Sequence, residues 1–92
     1  MAGPRFIADA PESALSVPLE SLTALYHRPS GMTHLLAPPA PQILEALASW
    51  AGTAEDVLER IAASFEIEAE DKVGAMAARL EELEAAGLVR RL

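Results

Sequence analysis

The chain has 92 residues, 51% of them hydrophobic, only 4% aromatic and none cysteine. Such a length fits one domain with one small core of Ala, Leu, Ile and Val, and this hydrophobic content excludes a disordered chain. The lack of cysteine excludes disulfides, thiolate zinc sites and thiol nucleophiles, and a formal charge of −7, from fourteen acids against seven bases, works against nucleic-acid binding, which needs Lys and Arg to displace phosphate counterions.

The first half is turn-rich and β-leaning. The opening MAGPRFIADAPE lacks the apolar core of a signal peptide, and no apolar run approaches the roughly 18 residues of a membrane span. A cytoplasmic protein without a membrane segment is expected. Residues 5–8 (RFIA) and 14–19 (ALSVPL) read as short strands, the second confined to an edge or an end by Pro18. Residues 21–28 alternate at Leu22, Ala24 and Tyr26, and residues 32–37 (MTHLLA) read as their partner strand. Arg28-Pro29-Ser30-Gly31 joins the two. Pro29 suits the second position of a type I turn and Gly31 accepts positive φ, which predicts a three-residue hairpin loop with a glycine bulge.

Three helical patterns follow, over about 39–51, 53–65 and 70–86. Pro38, Pro39 and Pro41 stop the strand and open the first helix, where proline is tolerated. Ile43, Leu44, Leu47 and Trp50 give it one buried face, and Gly52 suits a left-handed residue after it. Thr53 with Asp56 resembles a capping box, and the second helix carries Val57, Leu58, Ile61, Ala62 and Phe65 on its apolar side. Acids from Glu66 to Asp71 favour the start of the third. Val73, Met76, Leu80 and Leu83 form its stripe. Gly87 ends it, with Leu83 and Leu88 placed for the apolar contact of a Schellman cap. Val89–Leu92 reads as a tail. The expected fold is α+β and winged-helix-like: one domain over 1–92, with a small antiparallel sheet of about three strands within 5–37, then a three-helix bundle.

Few residues here carry chemistry. His27 and His34 are the only histidines. The three-residue loop sets His27 opposite Thr33 and Tyr26 opposite His34, which sends the histidines to opposite faces; a two-residue loop would bring them together diagonally. No third metal ligand stands nearby. Ser30 lies between them but reads as a turn serine. There is no G-x-S-x-G, phosphate loop or H-E-x-x-H, and Glu81, Glu82 and Glu84 read as a solvated face. A fold this small offers little room for a deep catalytic pocket. No enzyme, metal or cofactor is expected. The alternatives are a winged helix-turn-helix DNA-binding regulator and an accessory subunit of a larger enzyme. The first is weakened because Glu55, Asp56 and Glu59, then Asp71, Glu81, Glu82 and Glu84, outnumber Arg60, Lys72 and Arg79 on the helices that would meet DNA.

The order strand, hairpin, three helices resembles the PqqD-like family of peptide chaperones. The matching residues are Ser30-Gly31 and Thr33-His34-Leu35-Leu36, Ile43-Leu44 and Leu47, Thr53-Ala54-Glu55-Asp56-Val57, and Leu80-Glu81-Glu82-Leu83 through Gly87-Leu88. The first stretch looks most like a subgroup found beside genes for a kinase-like protein related to the HPr kinase. The resemblance implies a recognition element for ribosomally made precursor peptides, as in pyrroloquinoline quinone biosynthesis. The leader peptide would add as a strand to the sheet edge beside the third helix and be presented to a modifying enzyme, often a radical SAM protein. Carried onto this chain, the strand is Met32, Thr33, His34, Leu35 and Leu36, and the groove wall is Met76, Arg79, Leu80 and Leu83, with Arg79 placed to meet an acidic leader. Leu80 and Leu83 read equally well as core. The family commonly has Asn or Asp where Ala37-Pro38-Pro39 stands here, so the register of peptide pairing stays open. A homodimer formed by exchange of the N-terminal strands is a further expectation.

Overall fold

A computed structural model describes residues 3–48 and 50–92. They form an α+β fold of two antiparallel sheets and three helices. The strands are β1 (Phe6–Ala8), β2 (Ala14–Leu19), β3 (Leu22–His27), β4 (Met32–Leu36) and β5 (Val89–Arg91); the helices are α1 (Ala40–Leu47), α2 (Ala54–Ile61) and α3 (Lys72–Ala85). A 3-10 turn at Pro11–Ser13 leads into β2.

The sheet expected within 5–37 is divided. Strands β2, β3 and β4 make a meander, while β1 leaves it to pair with β5. Residues 89–92 are therefore not a tail. Phe6 faces Arg91 and Ala8 faces Val89, and the Leu92 N–H donates to the Arg5 carbonyl at 2.8 Å. On its other side Phe6 exchanges two backbone hydrogen bonds with Gly52, at 2.8 and 2.9 Å. That pairing corrects the expectation of a left-handed Gly52: positive φ among the glycines occurs at Gly31 and Gly87, and Gly52 extends the β1 ribbon instead.

The core gathers the inward faces of all three helices and the ribbon. Ile43 and Leu47 of α1, Val57 and Ile61 of α2, and Met76, Leu80 and Leu83 of α3 close around Phe6, Leu88 and Val89, with Leu25 and Leu36 reaching in from the meander. Trp50 is the exception to the expected stripe. Helix α1 ends at Leu47, earlier than residue 51, and Trp50 is 73% exposed. Residue 49, inside the expected helix, lies outside the described residues.

Local chemistry explains the helix ends. Thr53 caps α2 through a reciprocal box: the Asp56 N–H donates to the Thr53 hydroxyl at 3.2 Å, and the Thr53 N–H donates to the Asp56 carboxylate at 2.9 Å. The guanidinium of Arg60, on α2, donates to the carbonyls of Ala46, Trp50 and Ala51 at 2.8–3.2 Å, satisfying acceptors that the end of α1 leaves open. The second helix stops at Ile61, so Phe65 lies beyond it. At the end of α3, Gly87 has φ +79; the Leu88 N–H reaches the Leu83 carbonyl at 2.9 Å and the Gly87 N–H reaches Glu84 at 3.0 Å. These are the two bonds of a Schellman motif, and Leu83 and Leu88 are both buried beneath it.

Candidate functional site

The hairpin between β3 and β4 differs from expectation by one residue. His27 faces Met32 and Tyr26 faces Thr33, so the loop holds four residues, Arg28 to Gly31. Gly31 (φ +70) bonds back to the His27 carbonyl at 2.8 Å and is spent inside the turn. A shift of one residue turns every side chain over. His27 and His34 therefore share the inner face of the sheet, with His34 opposite Leu25, and do not point apart.

Strand β4 is the end of the meander; among the described residues its outer edge has no strand partner. Thr33 and Leu35 point to the outer face and are exposed, Leu35 at 66%. On the inner face Leu36 is core, His34 is half-buried and Met32 is exposed. The His34 Nε2 is buried with no hydrogen-bond partner.

The residues assigned to α3 separate into two groups. Met76, Leu80 and Leu83 are core, with Met76 and Leu80 fully enclosed, so they present no surface as a groove wall. Arg79 is exposed. It lines an open groove of about 580 Å3, together with Ala75 of α3, Pro39 just past β4, and Phe65, Glu66, Ile67, Glu68 and Ala69 of the loop between α2 and α3. The floor contributed by Pro39, Phe65 and Ile67 is apolar. Arg79 is already engaged by Glu82, donating to both of its carboxylate oxygens at 2.9 and 3.1 Å. Glu66, itself paired with Lys72 at 3.4 Å, and Glu68 also line it, so the groove keeps a small acidic surplus that does not favour an acidic ligand.

A second cluster joins residues distant in sequence. His27 Nε2 lies 2.7 Å from Asp9 Oδ2, and His27 Nδ1 lies 2.8 Å from Ser30 Oγ. Asp9 was missed by sequence reading because it lies outside any regular element. A carboxylate only accepts, so Nε2 carries a proton towards Asp9, while Nδ1 and the Ser30 hydroxyl share the other hydrogen bond. A Ser–His–Asp chain suggests hydrolysis, but the geometry does not serve it. Ser30 is exposed on the turn, its Oγ accepts from the Met32 N–H at 3.3 Å, and it does not line the neighbouring cleft. That cleft, about 470 Å3, lies between the inner face of the meander and α1 and is lined by Asp9, His27, Leu25, Leu44 and Glu45 among others. The cluster ties the β3–β4 turn to the segment after β1.

Among the described residues no three His, Asp or Glu side chains converge as metal ligands, and no helix is long and apolar enough to cross a membrane. Comparison of the chain with protein-family models, with curated proteins and with solved structures finds no match.

Proposed function

We propose that the chain is a non-enzymatic cytoplasmic adaptor, winged-helix-like in design, that binds the leader of a ribosomally made precursor peptide and presents it to a modifying enzyme such as a radical SAM protein. The observation that carries this reading is the edge of β4, which has no strand partner among the described residues; an apolar-floored groove opens at Pro39, three residues past the strand's end. An added strand takes its affinity from backbone hydrogen bonds along Met32–Leu36 and its register from side chains that enter pockets at alternate positions. The likeness of the Ser30–Leu36 stretch to PqqD-like domains supports the same edge.

The contacts we assign differ from those carried over from the resemblance. Ala75 and Arg79, with Pro39, Phe65 and Ile67, take the place of Met76, Leu80 and Leu83. The acidic surplus from Glu66 and Glu68 suits a leader with an apolar anchor followed by Lys or Arg. The exposed acids Glu81 and Glu82 beside Arg79 argue against α3 as a reader of DNA.

The test is a titration of isotope-labelled chain with synthetic leader peptides from genes adjacent to its own, followed by amide NMR. Shifts confined to residues 32–36, 65–69, 75 and 79 are expected. An absence of shifts at β4 with every neighbouring peptide would refute the reading.

A further inference from the structure

The outer face of the meander is apolar and bare. The alternation at Leu22, Ala24 and Tyr26 does not face the core: Leu25 and His27, the other set on β3, are the buried ones. The pairing register groups the outward side chains into rows. Leu15, Tyr26 and Thr33 form one, Val17, Ala24 and Leu35 the next, and Leu19 with Leu22 a short third. Leu15, Val17, Leu19, Leu22, Tyr26 and Leu35 are between 38% and 66% exposed. No charged residue stands in these rows, in a chain whose net charge is −7.

We infer that this face is the contact between two copies of the chain, stacked sheet on sheet about a two-fold axis. Three features favour a second copy as the occupant. The first is self-complementarity. The central strand presents a large ring, Tyr26, and two residues away a small side chain, Ala24. An axis lying between the sheets, across the strands at the level of Leu25, sets Tyr26 over Ala24 of the other copy and Ala24 beneath its Tyr26. The same operation sets Leu15 over Val17 and Thr33 over Leu35. The first two rows thus meet each other, the isologous pattern a two-fold contact requires, in the aligned packing of two twisted sheets about 10 Å apart, and the short third row falls over the β3–β4 turn of the other copy.

The second is charge. Two copies at −7 repel wherever their acids approach, and these rows carry none. An anionic lipid surface would be repelled by the same net charge. The third is area. The exposed apolar area of the face is on the order of 500 Å2, at the upper end of the largest patch on an ordinary monomer. A specific contact takes about a tenth of a small protein's surface, here roughly 600 Å2 of 5843 Å2. The face with its rim meets that need at the low end, the size range of reversible contacts. The inference is independent of the peptide reading: stacking uses the face of β4 and leaves its edge open, with the two β4 edges on the same side of the dimer.

Sedimentation equilibrium of the full chain from about 5 to 200 μM tests it, a range chosen to span a micromolar constant. A monomer–dimer equilibrium is expected, weakened more than about 100-fold in Ala24→Glu and in Leu35→Glu, because each buries a charge without a partner. Both variants alter an exposed face, and their unfolding curves report that they remain folded. A wild-type chain that is monomeric throughout, or folded variants that dimerise as it does, overturns the proposal. Isotope-filtered NMR on an equimolar mixture of labelled and unlabelled chain gives a second reading that does not depend on either charged variant. Between copies, contacts from the Tyr26 ring to the Ala24 methyl are expected; contacts from Tyr26 to Tyr26 in their place, or none from this face, overturn the proposed axis.

Discussion

His27 Nε2 and Asp9 Oδ2 meet at 2.7 Å across eighteen residues of sequence, and the imidazole that makes this contact is also hydrogen-bonded to the hydroxyl of Ser30 on the turn below it. One buried ring thereby holds the β3–β4 hairpin against the segment that leaves β1.

His27→Ala removes two side-chain hydrogen bonds and a buried ring at once. Asp9 is about one-third exposed and regains water, which limits the penalty. A loss of about 2 kcal/mol in urea unfolding is expected. Amide exchange should quicken at residues 9–13 and 28–31 while helix α3 keeps its protection. An unchanged midpoint with unchanged exchange would show that the ring ties nothing together.

Acid sensitivity should trace to the α2 cap. The Thr53 backbone N–H donating to the carboxylate, helped by the Thr53 hydroxyl and by Arg60 and Arg5, holds Asp56 below its ordinary value of 3.8. A carboxyl whose folded pKa is depressed stabilises the fold above its unfolded pKa, and that stabilisation is lost as pH falls through the folded value. Stability should therefore be level above about pH 5 and decline below about pH 4. Asp56→Asn should flatten the decline. Thr53→Ala should cost about 1 kcal/mol at neutral pH through loss of the cap. Urea midpoints measured from pH 2 to 7 check both.

Removing residues 89–92 should be damaging. Val89 is 3% exposed, and its strand is the partner of β1. Loss of one buried valine alone amounts to about 1.5–3 kcal/mol, and β1 then loses the strand on one side. Thermal unfolding of the truncated chain should shift down by more than about 5 °C. A midpoint within a degree of the full chain would make this segment the tail that its length suggests.

What the sequence disclosed was mostly what neighbouring residues decide among themselves. The capping box needs Thr53 and Asp56, and the Schellman cap needs Leu83, Gly87 and Leu88; each is complete within six residues. The hairpin was legible for the same reason, but its register was not: Arg28-Pro29-Ser30-Gly31 accommodates a three- or a four-residue loop, and the choice depends on Leu25 and Leu36 reaching the core. The β1–β5 ribbon joins residues 6 and 91, and nothing near Val89 announces a strand. Trp50 fits the helical spacing of Ile43 and Leu47, yet α1 stops before it. Arg60 reads as a surface charge until the carbonyls at the end of α1 stand in front of it. The candidate site fared likewise. The β4 strand was visible as a strand, whereas the division of α3 into core (Met76, Leu80, Leu83) and groove (Arg79) depends on the angle at which the helix meets its neighbours.

The β1–β5 ribbon has a mechanical consequence. Its strands run antiparallel, with Arg5 and Leu92 hydrogen-bonded at the same end. A force applied at those two residues pulls the strands apart sideways, so the backbone bonds bear the load one after another and never together. The fold should open at its ends like a zip under a small force, while the helices and the meander are still intact. A partner that draws on either end therefore meets little resistance at first, and a molecule joined at either end would leave from nearly the same point on the surface.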